Sequence, residues 1–138
     1  MNHLFAILMI FAIVLSEKPK HLEDFQWKNR IVLVFENGID SKGGVSDSLL
    51  SQMQERKLAY FFIDEGYQSN VEVNFSKAYL EELKKRFKTE GNKDSWLLIG
   101  LDGGVKMKGQ GNLDWDLIFR TIDSMPMRQS ELRSKKYK

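Results

Sequence analysis

Cysteine is absent from all 138 residues of this chain. Without a thiol the protein can form no disulfide, and thiolate catalysis, cysteine-containing zinc sites and iron–sulfur clusters are excluded. Histidine is nearly as scarce, because only His3 and His21 occur. Histidine-based acid–base catalysis and histidine-rich metal sites are therefore not expected, and the sequence predicts neither a bound metal nor a cofactor.

A strong overall charge is also lacking, since 21 basic residues face 19 acidic ones. The small basic excess is concentrated after Met127, where five basic residues accompany Glu131 alone. These are Arg128, Arg133, Lys135, Lys136 and Lys138. A protein-wide nucleic-acid surface is not expected from such a distribution. At this length, with 42% hydrophobic residues, the chain has room for one domain.

An apolar run from Leu4 to Leu15 opens the chain and ends at Ser16, before charged residues. As a helix it would span roughly 18 Å, less than the roughly 30 Å hydrocarbon core of a bilayer. This pattern predicts a signal peptide over residues 1–16, a domain over 17–133 and a basic tail over 134–138. The expected location is secreted or periplasmic. The alternative is an uncleaved segment that anchors the protein in a membrane.

Three short apolar runs, at residues 30–37, 58–64 and 95–101, predict buried strands. Amphipathic patterns over 45–57, 75–91 and 114–125 predict helices, and alternation over 105–111 predicts a hairpin strand. This order predicts an α/β fold with a mainly parallel central sheet, an antiparallel hairpin edge and flanking helices. It is the element order of a thioredoxin-like fold. Trp27, Trp96 and Trp115 are predicted to lie in the core or at its rim, with Trp27 the least well explained by periodicity.

Four motifs add a resemblance to this pattern: "FQWKNRIVLVF", "QERKLAYFFID", "LIGLDGGVKMK" and "IDSMPMRQSE". They resemble a domain-of-unknown-function family with a thioredoxin-like fold. That family stands alone in exported bacterial proteins and occurs as the DUDES domain in vertebrate extracellular sushi-repeat proteins. The resemblance extends from His21 to Arg133. It implies a thioredoxin-type fold, export and no established reaction.

The loop after the first strand is where redox thioredoxins carry their two cysteines. Here that loop contains Asn37, Gly38, Asp40, Ser41, Lys42, Gly43 and Gly44. No proline precedes the strand at 95–101, where redox thioredoxins place a cis-proline. The chain is therefore predicted to be neither a thiol oxidoreductase nor a thiol peroxidase. Whether it is another kind of enzyme stays open, with a non-enzymatic role favoured.

The segment Met125, Pro126, Met127 and Arg128 has two interpretations. In the structural one, the proline ends the last helix, the methionines fill gaps beneath the turn, and Arg128 pairs with a carboxylate such as Asp123. In the functional one, the same residues form an exposed patch that binds a partner. The structural interpretation is favoured, because helix-ending motifs need these properties in any case.

Carboxylates supply the alternative hypothesis. Asp40, Asp64, Glu65 and Asp102 follow predicted strands and are expected near the carboxyl edge of the sheet. There they would support a carboxylate-based enzyme or a small-ligand or cation site. The leading hypothesis is a non-catalytic binding or structural module for an unidentified protein or extracellular polyanion. Membrane contact is expected only through the N-terminal segment, if that segment is not cleaved.

Overall fold

The computed structural model describes residues 17–36, 44–87 and 94–137, which form a five-stranded sheet with helices on both faces. A short 3₁₀ helix, Leu22–Phe25, comes first. The strands are β1 Arg30–Phe35, β2 Leu58–Ile63, β3 Tyr67–Ser69, β4 Ser95–Ile99 and β5 Val105–Gln110. The α-helices are α1 Asp47–Glu55, α2 Lys77–Phe87, α3 Trp115–Asp123 and α4 Pro126–Lys136. Residues 1–16, where the signal peptide is predicted, lie outside the described ranges.

The strand order is β3-β2-β1-β4-β5, so the first strand lies at the centre. All six residues of β1 are buried, as its apolar composition predicts for a strand covered on both faces. Phe35 at the end of β1 pairs with Ile63 of β2 and with Ser95 of β4. We call this end of the sheet the Phe35 edge and the opposite end the Arg30 edge.

The prediction of a mainly parallel sheet is wrong. Only β1 and β2 are parallel, and the other three strand pairs are antiparallel. Strand β3 follows Ile63 and runs back along β2, and the connection that contains α2 then leads from Ser69 at the end of β3 to Ser95, which lies opposite Phe35. Since β4 starts at the Phe35 edge, where β1 ends, it must run against β1. The antiparallel β4–β5 hairpin was predicted correctly.

Two apolar layers cover the sheet, because alternate side chains of a strand point to opposite faces. Ile31, Leu33 and Phe35 pack with the 3₁₀ helix and α2. Val32 and Val34 pack with α1 and α3 on the other face. Every described residue of both cores lies at or beyond Leu22, so a chain starting at Glu17 contains all the described core residues. Within the described ranges, no helix is long and apolar enough to cross a membrane.

The C-terminal region differs from its prediction. Helix α3 ends at Asp123, and Pro126 is the first residue of α4. Proline suits that position, because its fixed φ is helical and the first amide of a helix has no intrahelical acceptor. Helix α4 continues to Lys136, so the predicted boundary between a domain at 17–133 and a tail at 134–138 falls inside a helix.

Candidate functional site

A cleft of about 320 Å³ opens at the Phe35 edge, between the end of β1, the start of α1 and the loops that precede β4 and follow β5. Six of its ten lining residues are apolar: Val34, Val45, Leu49, Phe62, Leu113 and Trp115. Glu36, Asp94 and Asn112 add polar groups. The cleft is therefore a concave surface of mixed apolar and polar character, and ligands preferentially bind in concave surfaces.

Capped helix ends and paired strands hold the walls of the cleft. Val34 and Phe62 are direct neighbours across the β1–β2 pair. Leu49 lies in the first turn of α1, where its amide donates to Ser46 Oγ at 3.2 Å. The Gly111 amide donates to the Asp94 carbonyl at 2.9 Å and joins the two loops. Gly111 has φ +79°, a backbone conformation that glycine adopts without strain.

The cleft lies next to the loop that stands in place of a redox motif. Of the seven predicted loop residues only Gly44 is within the described ranges, and Asn37, Gly38, Asp40, Ser41, Lys42 and Gly43 are outside them. Glu36, at the near end of this loop, extends the sheet by donating its amide to the Ile63 carbonyl at 3.2 Å. The described ends of the loop therefore place the cleft where the sequence located the redox motif of thioredoxins.

Asp102 lies apart from Asp64 and Glu65, with which it was predicted to cluster. Asp64 follows β2 at the Phe35 edge, whereas Asp102 follows β4 at the Arg30 edge, because β4 runs in the opposite direction. Asp64 and the adjacent Glu65 are exposed turn residues, and Asp40 lies outside the described ranges. In the part of the chain that the structure describes, no group of three or more histidine, aspartate or glutamate side chains could hold a metal ion.

Asp64 and Asp102 instead stabilise their own turns. The carboxylate of Asp64 accepts a hydrogen bond from the Gly66 amide at 2.9 Å. That of Asp102 accepts from Lys106 Nζ at 2.8 Å and from the Gly104 amide at 2.9 Å. The hydrogen bond from Lys106, followed by that from Gly104, holds the pKa of Asp102 below its ordinary value. Both side chains have the structural role that is common for aspartate in turns.

The predicted exposed patch around Arg128 is also corrected. Only 1% of this residue is exposed, so its guanidinium cannot contact a partner directly. Nε donates to Asp123 Oδ1 at 3.2 Å, as the structural interpretation expected. Nη1 donates to the Glu55 carbonyl and to Glu131, and Nη2 donates to the Glu55 carboxylate at 3.1 Å. Met125 is half-buried against the second core, while Pro126 and Met127 are exposed.

Two more arginines extend this ion-pair network. The guanidinium of Arg56 contacts Asp123 through Nε at 3.0 Å and Nη2 at 2.9 Å, and it lies over the Phe119 ring. Arg30 donates from Nη1 to the Arg56 carbonyl at 2.9 Å and to Glu131 at 3.3 Å. We call the whole set the arginine clasp. It consists of Arg30, Arg56, Arg128, Glu55, Asp123 and Glu131.

The arginine clasp joins α4 to the end of α1 and to the start of β1. Burial alone would raise the pKa of Asp123, but the hydrogen bonds and charges of Arg56 and Arg128 outweigh it and lower that pKa. Sequence reasoning missed Arg30 and Arg56. Arg30 could have been found from its position, since it is a charged residue at the start of a strand that is predicted to be buried on both faces. A charged side chain in such a place needs a partner inside the protein.

The three tryptophans divide between the core and the surface. Trp96 is buried and Trp115 is half-buried against the second core, so these two predictions are confirmed. Trp27 is 62% exposed, and its prediction as a core-rim residue is wrong. The backbone turns left-handed at Trp27, with φ +65°, after the 3₁₀ helix ends. The Trp27 amide donates a hydrogen bond to the Leu101 carbonyl, while most of the indole is exposed to solvent.

Two solved peroxiredoxins have a similar fold. A reduced 2-Cys peroxiredoxin of Plasmodium vivax has a TM-score of 0.58 and 16% identity, covering 79% of this chain and 72% of that chain. The mitochondrial 2-Cys peroxiredoxin of Plasmodium falciparum has a TM-score of 0.51 and 14% identity, covering 75% and 79%. At these identities the likeness shows the fold alone, and it confirms the thioredoxin-like prediction.

No curated protein matches the chain in sequence. A family model does match, under the description "Domain of unknown function (DUF4174)", over residues 21–131. This range contains all five strands of the sheet and the motif from Ile122 to Glu131. The chain therefore belongs to this family of thioredoxin-like domains.

Proposed function

We propose that this protein is an exported binding module that uses the cleft at the Phe35 edge and performs no redox chemistry. The observation that carries the proposal is a cleft with several apolar wall residues at the place where redox members of the fold keep their cysteines, in a chain that has no cysteine. Its motifs also resemble the DUDES domains of extracellular sushi-repeat proteins. In this proposal the scaffold keeps a recognition surface and lacks the reactive group.

The lining of the cleft favours a protein segment over a polyanion. The walls would bury an apolar side chain of the partner. Glu36 and Asp94 would disfavour an anion, and none of the described lining residues is basic. A partner segment with an apolar side chain next to a lysine or arginine matches this chemistry. A small apolar molecule is the second candidate, since the cleft volume lies at the lower end of the range for small-molecule sites.

Capture from the exported fraction by chain 17–138 tests the proposal, with Val45→Asp as the blocking variant. Val45 is half-buried in the cleft wall, so a carboxylate there would oppose apolar binding. Val71→Asp is the matched control, because Val71 is also a half-buried valine against a core and does not line the cleft. We expect partners to be lost with Val45→Asp and retained with Val71→Asp, at similar melting temperatures. Equal capture by both variants would refute the cleft as the binding site.

Export is a separate part of the proposal and rests on the apolar run from Leu4 to Leu15. Expression of the full chain in a secreting host should yield a soluble exported product that begins close to Glu17. Intact mass measurement on fractionated cells checks this. A product of full mass in the membrane fraction would support the anchored alternative and leave the cleft hypothesis unaffected.

A further inference from the structure

Trp27 is the most exposed tryptophan, and its backbone is strained. Of the three tryptophans it alone is more than half exposed. A residue with a side chain pays roughly 1–2 kcal/mol to adopt a left-handed conformation, which glycine adopts freely. Placing a large apolar side chain at such a position favours neither folding nor solubility. Strain of this kind is often retained at sites that bind something.

Backbone hydrogen bonds hold this turn rigidly at the Arg30 edge. The Trp27 amide donates to the Leu101 carbonyl at 2.6 Å, and the Lys28 amide donates to the Phe25 carbonyl at 2.8 Å. The Gln26 side chain donates from Nε2 to the Asp102 carbonyl at 2.9 Å. The indole is therefore presented from a fixed backbone, which lowers the conformational cost of binding. We call residues 26–29 together with residues 101–108 the tryptophan turn.

The tryptophan turn combines exposed apolar groups with positive charge. Val105, at the start of β5, is 40% exposed. Lys28, Lys106 and Lys108 are all exposed, whereas Asp102 is the one acidic residue of the two segments and already pairs with Lys106 at 2.8 Å. Within the two segments, three positive charges against one negative charge leave a net charge of +2, and Asp24 of the adjoining 3₁₀ helix interacts electrostatically with Lys28. A surface that binds here must accept an indole ring and supply negative charge.

We infer that the tryptophan turn docks the domain on the headgroup region of anionic membranes. The interface of a bilayer suits tryptophan, whose ring is apolar and whose N–H is polar, and anionic headgroups attract lysine. A sulfated glycan would satisfy the lysines but not the exposed apolar groups. The contact would be peripheral and would not require the N-terminal apolar segment. It lies at the opposite edge of the sheet from the cleft, so it is independent of the proposed function.

Co-sedimentation of chain 17–138 with vesicles tests this inference. The vesicles contain phosphatidylcholine either alone or with about one third phosphatidylglycerol. We expect binding to the anionic vesicles only, weakened by about 0.5 M salt because the lysines are solvent-exposed. Lys28→Gln should lower the partition coefficient about fivefold, which corresponds to one surface lysine. Trp27→Gly should lower it more than tenfold, given the apolar area of an indole.

Trp27→Gly is a clean variant, because glycine relieves the strain at φ +65° and the fold should be at least as stable. Met127→Ala is the control, because Met127 is an exposed apolar residue that lies in helix α4, away from the tryptophan turn. Alanine is used there because glycine would destabilise the helix. It should bind as the parent does. Iodide should quench Trp27 emission in solution and lose that effect on vesicles.

Three results would overturn the inference. The first is no binding to anionic vesicles at low salt. The second is binding that Trp27→Gly leaves unchanged. The third is binding to a soluble sulfated glycan with no binding to anionic vesicles, which would assign the lysines to a different partner. A failure of the cleft experiment would not affect any of these outcomes, since Val45 and Trp27 lie at opposite edges of the sheet.

Discussion

Replacing Arg128 by alanine should destabilise the domain by about 3 kcal/mol, since removing one member of a buried ion pair costs about 3–5 kcal/mol. The guanidinium is 1% exposed and makes four polar contacts. The expected loss lies at the low end of this range, because two of the carboxylates that Arg128 contacts keep another arginine partner. Asp123 keeps both contacts with Arg56, and Glu131 keeps its contact with Arg30. The melting temperature should fall by about 12 °C for a domain of this size.

Urea unfolding followed by circular dichroism would measure this change. Arg128→Lys should cost about half as much, because a lysine retains the charge but cannot reach Glu55 and Asp123 with a planar fork. Arg133→Ala is the matched control on the same helix, where the exposed arginine contacts only Ser130, and we expect a change under about 0.5 kcal/mol. A loss under about 0.5 kcal/mol for Arg128→Ala would show that the arginine clasp does not stabilise the domain.

Three further outcomes are expected from the structure. Gly109→Ala should destabilise the domain by about 1–3 kcal/mol, because a Cβ at this position would clash with the Trp96 ring, and thermal melting measures the loss. Lys57→Gly should stabilise by about 0.5–1 kcal/mol, since Lys57 has φ +50°, and an unchanged or lower urea midpoint would contradict this. Because folding lowers the pKa of Asp123, this carboxylate stabilises the domain at pH values above its unfolded pKa. That stabilisation is lost as the pH falls below about 4 and through the folded pKa. Asp123→Asn should therefore reduce the dependence of the free energy of unfolding on pH over that window.

Three strands of the fold could be predicted from the sequence because buried strands appear there as short, continuous runs of apolar residues. Arg30–Phe35, Leu58–Ile63 and Ser95–Ile99 agree with the predicted runs to within two residues at either end. The direction of β4 could not be obtained in this way, since hydrophobic pattern is the same for parallel and antiparallel neighbours. Strand β3 was missed because it has only three residues, of which Gln68 is exposed and the other two are half-buried, and it carries no apolar alternation.

The sites were harder to predict, because they depend on contacts between segments that lie far apart in the chain. The Arg30 side chain reaches Glu131, which is 101 residues away. The left-handed turn at Trp27 depends on the Leu101 carbonyl. Periodicity describes only which face of an element is apolar, so it could identify neither partner. The salt bridge between Arg128 and Asp123 was predictable because the two residues are five positions apart at a helix end.

One of the four motifs that resemble the family has a structural task in this chain. Within "IDSMPMRQSE", Asp123, Arg128 and Glu131 belong to the arginine clasp, and Pro126 begins the helix that it holds. These residues contact one another and α1, so selection for a stable domain is sufficient to explain them. Residues that bind a partner need not contact each other. The two binding roles that we propose therefore predict that ligands differ between such domains where the cleft or the tryptophan turn varies and the arginine clasp does not.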